Sequence, residues 1–260
     1  MLHYQTAGEG KPVILIHGFP SDHTTWHTIV PALSRSFKLY LPDLPGAGLS
    51  EGVAEESLRI EDMARGIRSV IDRENLENVI IAGHSMGGYT AMACLELFPE
   101  KIAGLSLIHS LASADSEEKK ETRRKSIQLI RKGDDARQRF LKEMAGNLFA
   151  ASFAAEHPDT VQMVADKGMA LSTVALTNFY TAMMHRPDRT AVLKDNGIPV
   201  QWIIGTEDKA TPPDHALAQA YLAQVNDVHI YDQTGHMSMY EAPDRLLQDL
   251  SSFCHFCFNL

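Results

Sequence analysis

The segment that most constrains the fold is the run Val-Ile-Ile-Ala-Gly-His-Ser-Met-Gly-Gly at positions 79–88. Its first residues are apolar, as in a buried strand, and a helix-forming stretch from Tyr89 to Leu97 follows at once. Glycines at positions 83 and 87 let strand and helix approach closely, while Ser85 between them takes a strained backbone angle. The pattern therefore predicts a strand, a sharp turn and a helix, with the Ser85 hydroxyl at the apex. The alternative, an ordinary glycine-rich turn, is disfavoured by this context.

A serine hydroxyl becomes a good nucleophile only when a base takes its proton and an acid orients that base. A second apolar strand pattern covers residues 198–205, and the acids Glu207 and Asp208 follow it. A carboxylate just beyond the carboxyl end of a strand lies where open α/β sheets place their site residues. We predict Asp208 as the orienting acid, and Glu207 is the competing choice, otherwise a solvated loop charge.

The base has to be chosen among twelve histidines by position. A short alternating strand at 228–231 leads into Gly235-His236, and a helical run begins at Ala242. Ser, Asp and His in this chain order match the order of a hydrolase triad, so we predict His236 as the base. Four other histidines are expected in positions that fit a base less well. His84 points away from its neighbour Ser85, His109 ends a strand beside the pocket, His215 lies at a helix start, and His229 lies within a strand.

Two backbone amides are candidates for stabilising negative charge on a substrate oxygen. The strand at 13–16 runs into the loop His17-Gly18-Phe19-Pro20. Pro20 has no N–H, so the donor on this loop must precede it, and we predict the amide of Phe19. The second donor is the amide of Met86, directly after the serine. His17 is expected to brace the loop.

These motifs resemble those of the α/β-hydrolase superfamily of serine hydrolases. The resemblance also includes Trp26, the stretch 43–50 and the residues from Gly205 to Asp208. The resemblance implies an α/β-hydrolase fold, a mostly parallel doubly wound sheet with an inserted helical cap. The His-Gly-Phe-Pro loop followed by Trp26 is similar to epoxide hydrolases, dehalogenases and cofactor-free haloperoxidases. The first two use an aspartate where this chain has Ser85. The resemblance therefore implies an esterase, a lactonase, a C–C hydrolase or a haloperoxidase-like enzyme.

Alternating strand and helix patterns predict a core formed by residues 1–110 and 186–260. The predicted strands not yet mentioned are 2–5, 37–41 and 102–108, and the predicted core helices are 26–33 and 60–73. Between residues 111 and 185 the alternation stops, and the sequence predicts a helical cap. Its helices are expected at 116–131, 134–148, 159–168 and 171–184.

The predicted cap changes character along its length. Its opening, from Glu117 to Lys125, is dense in charge and is interpreted as a solvated helix face. Its later part is apolar, and there we expect side chains that pack on the core and partly roof a pocket. These side chains are Met144, Leu148, Phe149, Phe153, Met163, Met169, Phe179, Met183 and Met184.

Composition excludes several classes of partner. A net charge of −9 argues against nucleic acid and against an anionic membrane surface. No apolar run is long enough to span a bilayer, and residues 1–5 lack the features of a secretory signal, so we expect a cytoplasmic protein. Cys94, Cys254 and Cys257 are expected to pack on the apolar faces of helices rather than to bind a metal.

These features predict a serine hydrolase that cleaves carboxylic esters of small, largely apolar substrates through an acyl-enzyme, with no metal and no organic cofactor. Three alternatives stay open: a C–C bond hydrolase or lyase on the same triad, a cofactor-free haloperoxidase or perhydrolase, and a non-enzymatic small-molecule receptor. A C–C hydrolase of an acidic substrate would need a cation in the cap. The candidates are Arg123, Arg124, Arg137, Arg139 and Arg186.

Overall fold

The computed structural model describes residues 1–54 and 57–260 and contains a seven-stranded sheet in the order β1-β3-β2-β4-β5-β6-β7. The strands are β1 (Tyr4–Ala7), β2 (Lys11–Ile16), β3 (Phe37–Pro42), β4 (Val79–His84), β5 (Ile102–Ile108), β6 (Pro199–Gly205) and β7 (Val225–Tyr231). The first strand pairs antiparallel with β3, and the other neighbouring pairs are parallel. The predicted mostly parallel α/β fold is confirmed.

Helices connect the strands in the pattern of a doubly wound sheet. Those outside the β5–β6 connection are α1 (Val30–Leu33), α2 (Ile60–Arg73), α3 (Met86–Leu97), α10 (Pro213–Leu217), α11 (Ser238–Glu241) and α12 (Pro243–Phe258). Those between β5 and β6 are α4 (Glu117–Arg131), α5 (Asp134–Asn147), α6 (Ala151–Glu156), α7 (Pro158–Ala170), α8 (Thr173–His185) and α9 (Thr190–Asp195). Within this connection α4 packs on α8, and α5 packs on α7.

The five inner strands, β2 to β6, are buried on both faces, which explains why they are largely apolar runs rather than alternating patterns. Along β2, Ile14 and Ile16 point into a cluster with the inner faces of α2 and α3, whereas Val13 and Leu15 point into a cluster with α1 and α12. Both Cys254 and Cys257 are buried on α12 within the second cluster, as expected.

Several predicted boundaries differ from the structure. The helix expected at 26–33 is a 3₁₀ turn, His23–Trp26, followed by the short α1. Pro31 lies in the first turn of α1, where its missing N–H costs no hydrogen bond. The last strand begins at Val225 rather than at 228, because its first residues pair with β6 although their side chains are only partly buried. Helix α6 was not predicted.

The predicted division at residues 111 and 185 stays a prediction about domain organisation. Among the described residues, no helix combines the length and the apolar character needed to cross a bilayer.

Candidate active site

Ser85 occupies the turn between β4 and α3, with φ of 51° and ψ of −114°. A Cβ added at Gly83 would lie 2.3 Å from the carbonyl oxygen of Gly87, and one added at Gly87 would lie equally close to the oxygen of Ile16. Glycine is therefore required on both sides of the serine. The turn is also tied to the end of β5, because Ser85 N–H donates to the carbonyl of Ile108 at 2.9 Å.

Asp208 and His236 meet at the carboxyl edge of the sheet. Asp208 follows β6 and His236 follows β7, and Nδ1 of His236 lies 2.7 Å from Oδ2 of Asp208. Both side chains are buried. Glu207 is exposed, and its carboxylate lies 3.4 Å from the amide of Ala151. Of the two acids after β6, the structure brings Asp208 to the histidine.

The carboxylate of Asp208 is held in its ionised form. Its Oδ1 accepts from the amides of Ala210 and Thr211 at 2.8 and 2.9 Å, and its Oδ2 accepts from the hydroxyl of Thr211 at 2.6 Å. Burial by itself raises the pKa of Asp208, but the neighbouring imidazoles of His236 and His109 outweigh burial and place the pKa well below its usual value. Asp208 can therefore orient His236 and stabilise a positive charge on it.

Two further histidines lie beside His236. Nε2 of His84 donates to the carbonyl of His236 at 2.8 Å, and the two rings are 4.9 Å apart. Burial and the neighbouring His236 lower the pKa of His84 well below its ordinary value, so its ring is neutral. Nδ1 of His109 lies 3.3 Å from Oδ2 of Asp208, although neither ring nitrogen of His109 makes a hydrogen bond with a described residue. Sequence reasoning placed both residues near the site but missed these contacts.

Glu241 fastens the loop that carries His236, and no sequence pattern marked it. One carboxylate oxygen accepts from the amide of Met237 at 2.9 Å, and the other accepts from the amides of Gly235 and Ala150 at 2.9 and 2.8 Å. Because Ala150 lies between α5 and α6, Glu241 joins the histidine loop to the helical connection between β5 and β6.

The two predicted amide donors belong to Phe19, in the loop after β2, and to Met86, the residue after Ser85. Met86 is the first residue of α3, where backbone N–H groups have no acceptor within the helix. Within residues 1–54 and 57–260, neither Met86 N–H nor Phe19 N–H donates a hydrogen bond. The loop that carries Phe19 is braced by His17, whose Nε2 accepts from the amide of Leu44 at 3.0 Å and whose Nδ1 donates to the carbonyl of Gly18.

Ser85 and His236 line one cavity of about 160 Å³ beneath the helices of the β5–β6 connection. Part of its wall is apolar, formed by Phe19, Met144, Leu148 and Met183. Another part is polar and comes from Lys119, Thr122, Arg123 and Ser126, all on α4. The Ser85 hydroxyl, the His236 imidazole and the side chain of Phe19 therefore border one small space.

The sequence from residue 13 to residue 249 matches the family described as "Alpha/beta hydrolase family". The chain belongs to this family. A solved structure of a thermophilic esterase from Thermogutta terrifontis, with malate bound, has a TM-score of 0.92 and 28% sequence identity, covering 98% of this chain and 93% of that one. A 2-hydroxy-6-oxononadienedioate/2-hydroxy-6-oxononatrienedioate hydrolase from Paraburkholderia xenovorans is 26% identical, covering 94% of this chain and 87% of its own.

An enol-lactonase from Burkholderia xenovorans shares the fold, with a TM-score of 0.88 and 21% sequence identity over 98% of this chain and 96% of that one. The family match identifies the chain as an α/β-hydrolase. Its relatives include an esterase and a 2-hydroxy-6-oxononadienedioate/2-hydroxy-6-oxononatrienedioate hydrolase.

The charged face of α4 in this hydrolase differs from the prediction of a solvated surface. Lys119, Thr122, Arg123 and Ser126 follow helical spacing and share one face, which turns toward the cavity. Arg123 is only 8% exposed. The prediction of a solvated face is wrong for Arg123, because charges at consecutive positions give no signal of which helix face lies against the core.

The arginines proposed as cap cations occupy different environments in the hydrolase. Arg123 lines the cavity, with Nε 2.5 Å from Oδ2 of Asp115. Arg186 is also buried and lies 2.7 Å from the other oxygen of Asp115. Arg124 and Arg139 are exposed, and Arg137 donates to the hydroxyl of Thr173 at 3.0 Å.

Among residues 1–54 and 57–260, two groups of side chains have the composition of metal ligands, namely His109, Asp208 and His236, and His3, His23 and Asp43. The first group consists of Asp208 and His236, which are hydrogen-bonded to each other, and of His109 beside Asp208. In the second, Asp43 accepts from the side chains of His3 and His23 and from the amides of His23 and Leu49, at 2.8–3.0 Å. These hydrogen bonds satisfy the Asp43 carboxylate without a metal.

Proposed function

We propose that the protein is a serine hydrolase that cleaves carboxylic esters through an acyl-enzyme, with Ser85 as nucleophile, His236 as base and Asp208 as orienting acid. One observation carries the proposal. Ser85, at a strained apex, shares a small cavity with His236, whose ring is hydrogen-bonded to the buried Asp208. The similarity to the Thermogutta terrifontis esterase along nearly the whole chain supports it.

The reaction follows from the positions of these groups. Because Nδ1 of His236 is bonded to Asp208, its Nε2 is the nitrogen left to take the proton as Ser85 Oγ attacks the ester carbonyl. The amides of Phe19 and Met86 then donate to the carbonyl oxygen as it becomes negative. His236 returns the proton to the alkoxide as the C–O bond breaks, and a water activated by the same imidazole releases the acid.

The cavity sets an expectation for substrate size. An apolar cavity of about 150 Å³ accommodates a molecule the size of benzene. The 160 Å³ cavity therefore suits an acyl group of short or medium length against Met144, Leu148 and Met183. We expect p-nitrophenyl butyrate to be hydrolysed with a higher kcat/KM than the octanoate.

The test compares hydrolysis of p-nitrophenyl acetate, butyrate and octanoate by wild type and by Ser85→Ala. We expect the substitution to lower kcat by about 10⁴-fold or more, as loss of a serine nucleophile does. Ser252→Ala, at an exposed position on α12, is the matched control and should retain wild-type kcat. Equal turnover by wild type and Ser85→Ala would show that Ser85 is not the nucleophile.

A second candidate is the hydrolysis of a C–C bond in an acidic substrate. It is favoured by the similarity to the Paraburkholderia xenovorans hydrolase and by Arg123, the cation that this alternative requires, at the cavity wall. Loss of the absorbance of 2-hydroxy-6-oxononadienedioate with wild type, without hydrolysis of simple esters, would favour this reaction over ester cleavage.

A further inference from the structure

The inner face of α4 brings unused hydrogen-bond donors into the cavity that contains Ser85. Lys119 and Arg123 lie one helical turn apart, and both line the cavity. Nζ of Lys119 donates to the carbonyl of Ala210 at 3.1 Å, which leaves two of its three N–H groups without an acceptor among the described residues. Arg123 directs Nε and Nη2 to Asp115, and in the part of the chain that the structure describes its Nη1 makes no hydrogen bond.

Positive charge is in excess around these donors. Asp115 is shared between Arg123 and Arg186. A second carboxylate that acts on Lys119 is Asp208, which is hydrogen-bonded to the ring of His236. Lys119, Arg123 and Arg186 thus face two buried carboxylates, and none of the described residues that line the cavity is acidic. Asp188, which also acts on Arg186, and Glu118, the residue before Lys119, are both exposed to solvent.

The positions of the arginines are fixed by aromatic side chains. The guanidinium carbon of Arg186 lies 3.8 Å from the ring centroid of Tyr89, and that of Arg123 lies 5.7 Å from the ring centroid of Tyr180. Burial and the adjacent Arg123 lower the pKa of Lys119. A buried cluster with surplus positive charge is stabilised when an anion binds to it.

We propose that the substrate is an ester that also bears a free carboxylate, and that Lys119 and Arg123 bind this carboxylate while Ser85 attacks the ester carbonyl. The proposal rests on the proposed function for the reaction, and it replaces the expectation of a largely apolar substrate. The apolar wall contacts the carbon chain between the two groups, and the α4 cations select for the charge at its end.

The experiment compares matched esters that differ only in charge. Ethyl hydrogen succinate carries the carboxylate on the acyl side, and ethyl succinamate replaces it with a neutral amide of the same shape. The pair of 4-acetoxybutanoate and 4-acetoxybutanamide places the same change on the alcohol side. We expect wild type to prefer the acid over the amide in at least one pair by about tenfold in kcat/KM, the effect of a charge-assisted hydrogen bond.

The variants are Lys119→Met and Arg123→Met, with Lys120→Met and Arg124→Met as controls. The control residues are the next positions on α4, and they pair with Glu117 and Glu121 outside the cavity. We expect the acid-to-amide ratio to fall by about tenfold in each test variant and to keep its wild-type value in each control. Arg123→Met removes one partner of a buried carboxylate, so Lys119→Met, which breaks no ion pair between described residues, is the deciding variant.

A binding measurement separates this inference from the reaction. Succinate should raise the Tm of wild type more than succinamide does, and Lys119→Met should lose this difference. That result supports the carboxylate site even if no ester is hydrolysed, in which case only the proposed function fails. Hydrolysis that depends on Ser85, with an acid-to-amide ratio of one or less in both pairs and no specific effect of succinate on Tm, overturns the carboxylate site and leaves the proposed function standing.

Discussion

The carboxyl edge of the sheet and the inner face of α4 contribute to the same cavity, but they hold their polar groups differently. At the sheet edge, Asp208 accepts from two backbone amides, a hydroxyl and an imidazole. On α4, the long flexible side chains of Lys119 and Arg123 carry donors that have no acceptor within residues 1–54 and 57–260. The edge thus has its hydrogen bonds largely made before substrate arrives, whereas the helix face leaves some to be completed by a ligand.

Under the proposed function, we expect the sheet edge to carry out the reaction and the helix face to select the substrate. Reaction chemistry needs fixed geometry, and strand ends joined by backbone hydrogen bonds provide it. Selection among substrates needs charge and shape matched to the part of the substrate that does not react. Substitutions at the sheet edge should therefore abolish turnover, and substitutions on the helices should change which substrate is preferred.

The largest effect on this comparison is expected from Asp208→Asn. An amide at this position cannot stabilise the charged imidazole of His236 and favours the wrong tautomer, so kcat should fall by about 10³–10⁴-fold. Glu207→Gln is the matched control, because this neighbouring acid is exposed, and it should keep nearly full activity. Steady-state kinetics on p-nitrophenyl butyrate measures both. Comparable losses in the two variants would contradict the assignment of Asp208.

Glu241→Gln tests the link between the sheet edge and the helical connection between β5 and β6. The carboxylate accepts from three amides, and an amide side chain cannot accept from all of them. We expect the free energy of unfolding to fall by about 1–3 kcal/mol, the cost of leaving a buried donor unsatisfied. We also expect kcat to fall, since the loop carrying His236 loses support. Urea unfolding and kinetics on the same preparations check this, and Glu156→Gln, at an exposed position, should change neither quantity.

Met183→Ala should change chain-length preference while leaving the reaction intact. Removing this side chain enlarges the cavity, and each further methylene that is buried contributes about 0.8 kcal/mol. The ratio of kcat/KM for octanoate to that for acetate should therefore rise several-fold. The adjacent residue Met184 lines a different groove, so Met184→Ala should leave the ratio as in wild type. A uniform fall in kcat/KM for all esters in Met183→Ala would show that Met183 does not influence the chain-length preference.

The smallest effect is a pH dependence of stability caused by His84. Its pKa is lowered in the folded protein, so the unfolded chain binds this proton first as pH falls below about 6.5. The stabilisation is complete above that pH and is lost below it, with a slope of at most about 1.4 kcal/mol per pH unit. Urea unfolding at pH 5.5 and 7.5 should show a smaller difference in His84→Asn than in wild type. His215→Asn, at an exposed position, should show the wild-type difference.

Much of the sheet edge was predictable because its signals are local. The turn that carries Ser85 is specified by consecutive residues. The strand patterns before Asp208 and His236 predict that each of these residues follows the carboxyl end of a strand. Parallel strands carry their carboxyl ends to one edge, so order along the chain was enough to bring the last two residues together. The first turn near Trp26 was mispredicted, because its short helical pattern does not distinguish a 3₁₀ turn from an α-helix.

The sequence by itself therefore determined the α/β architecture and the residues that meet at the carboxyl edge of the sheet, because apolar periodicity and chain order are sufficient to specify them. Only the tertiary structure decided that Arg123 turns inward, that Glu241 secures the histidine loop, and that His84 packs on His236. Each of these contacts joins elements distant in the chain. Whether a charged helix face points to the core or to solvent depends on how that helix packs, and a local pattern of charges does not predict it.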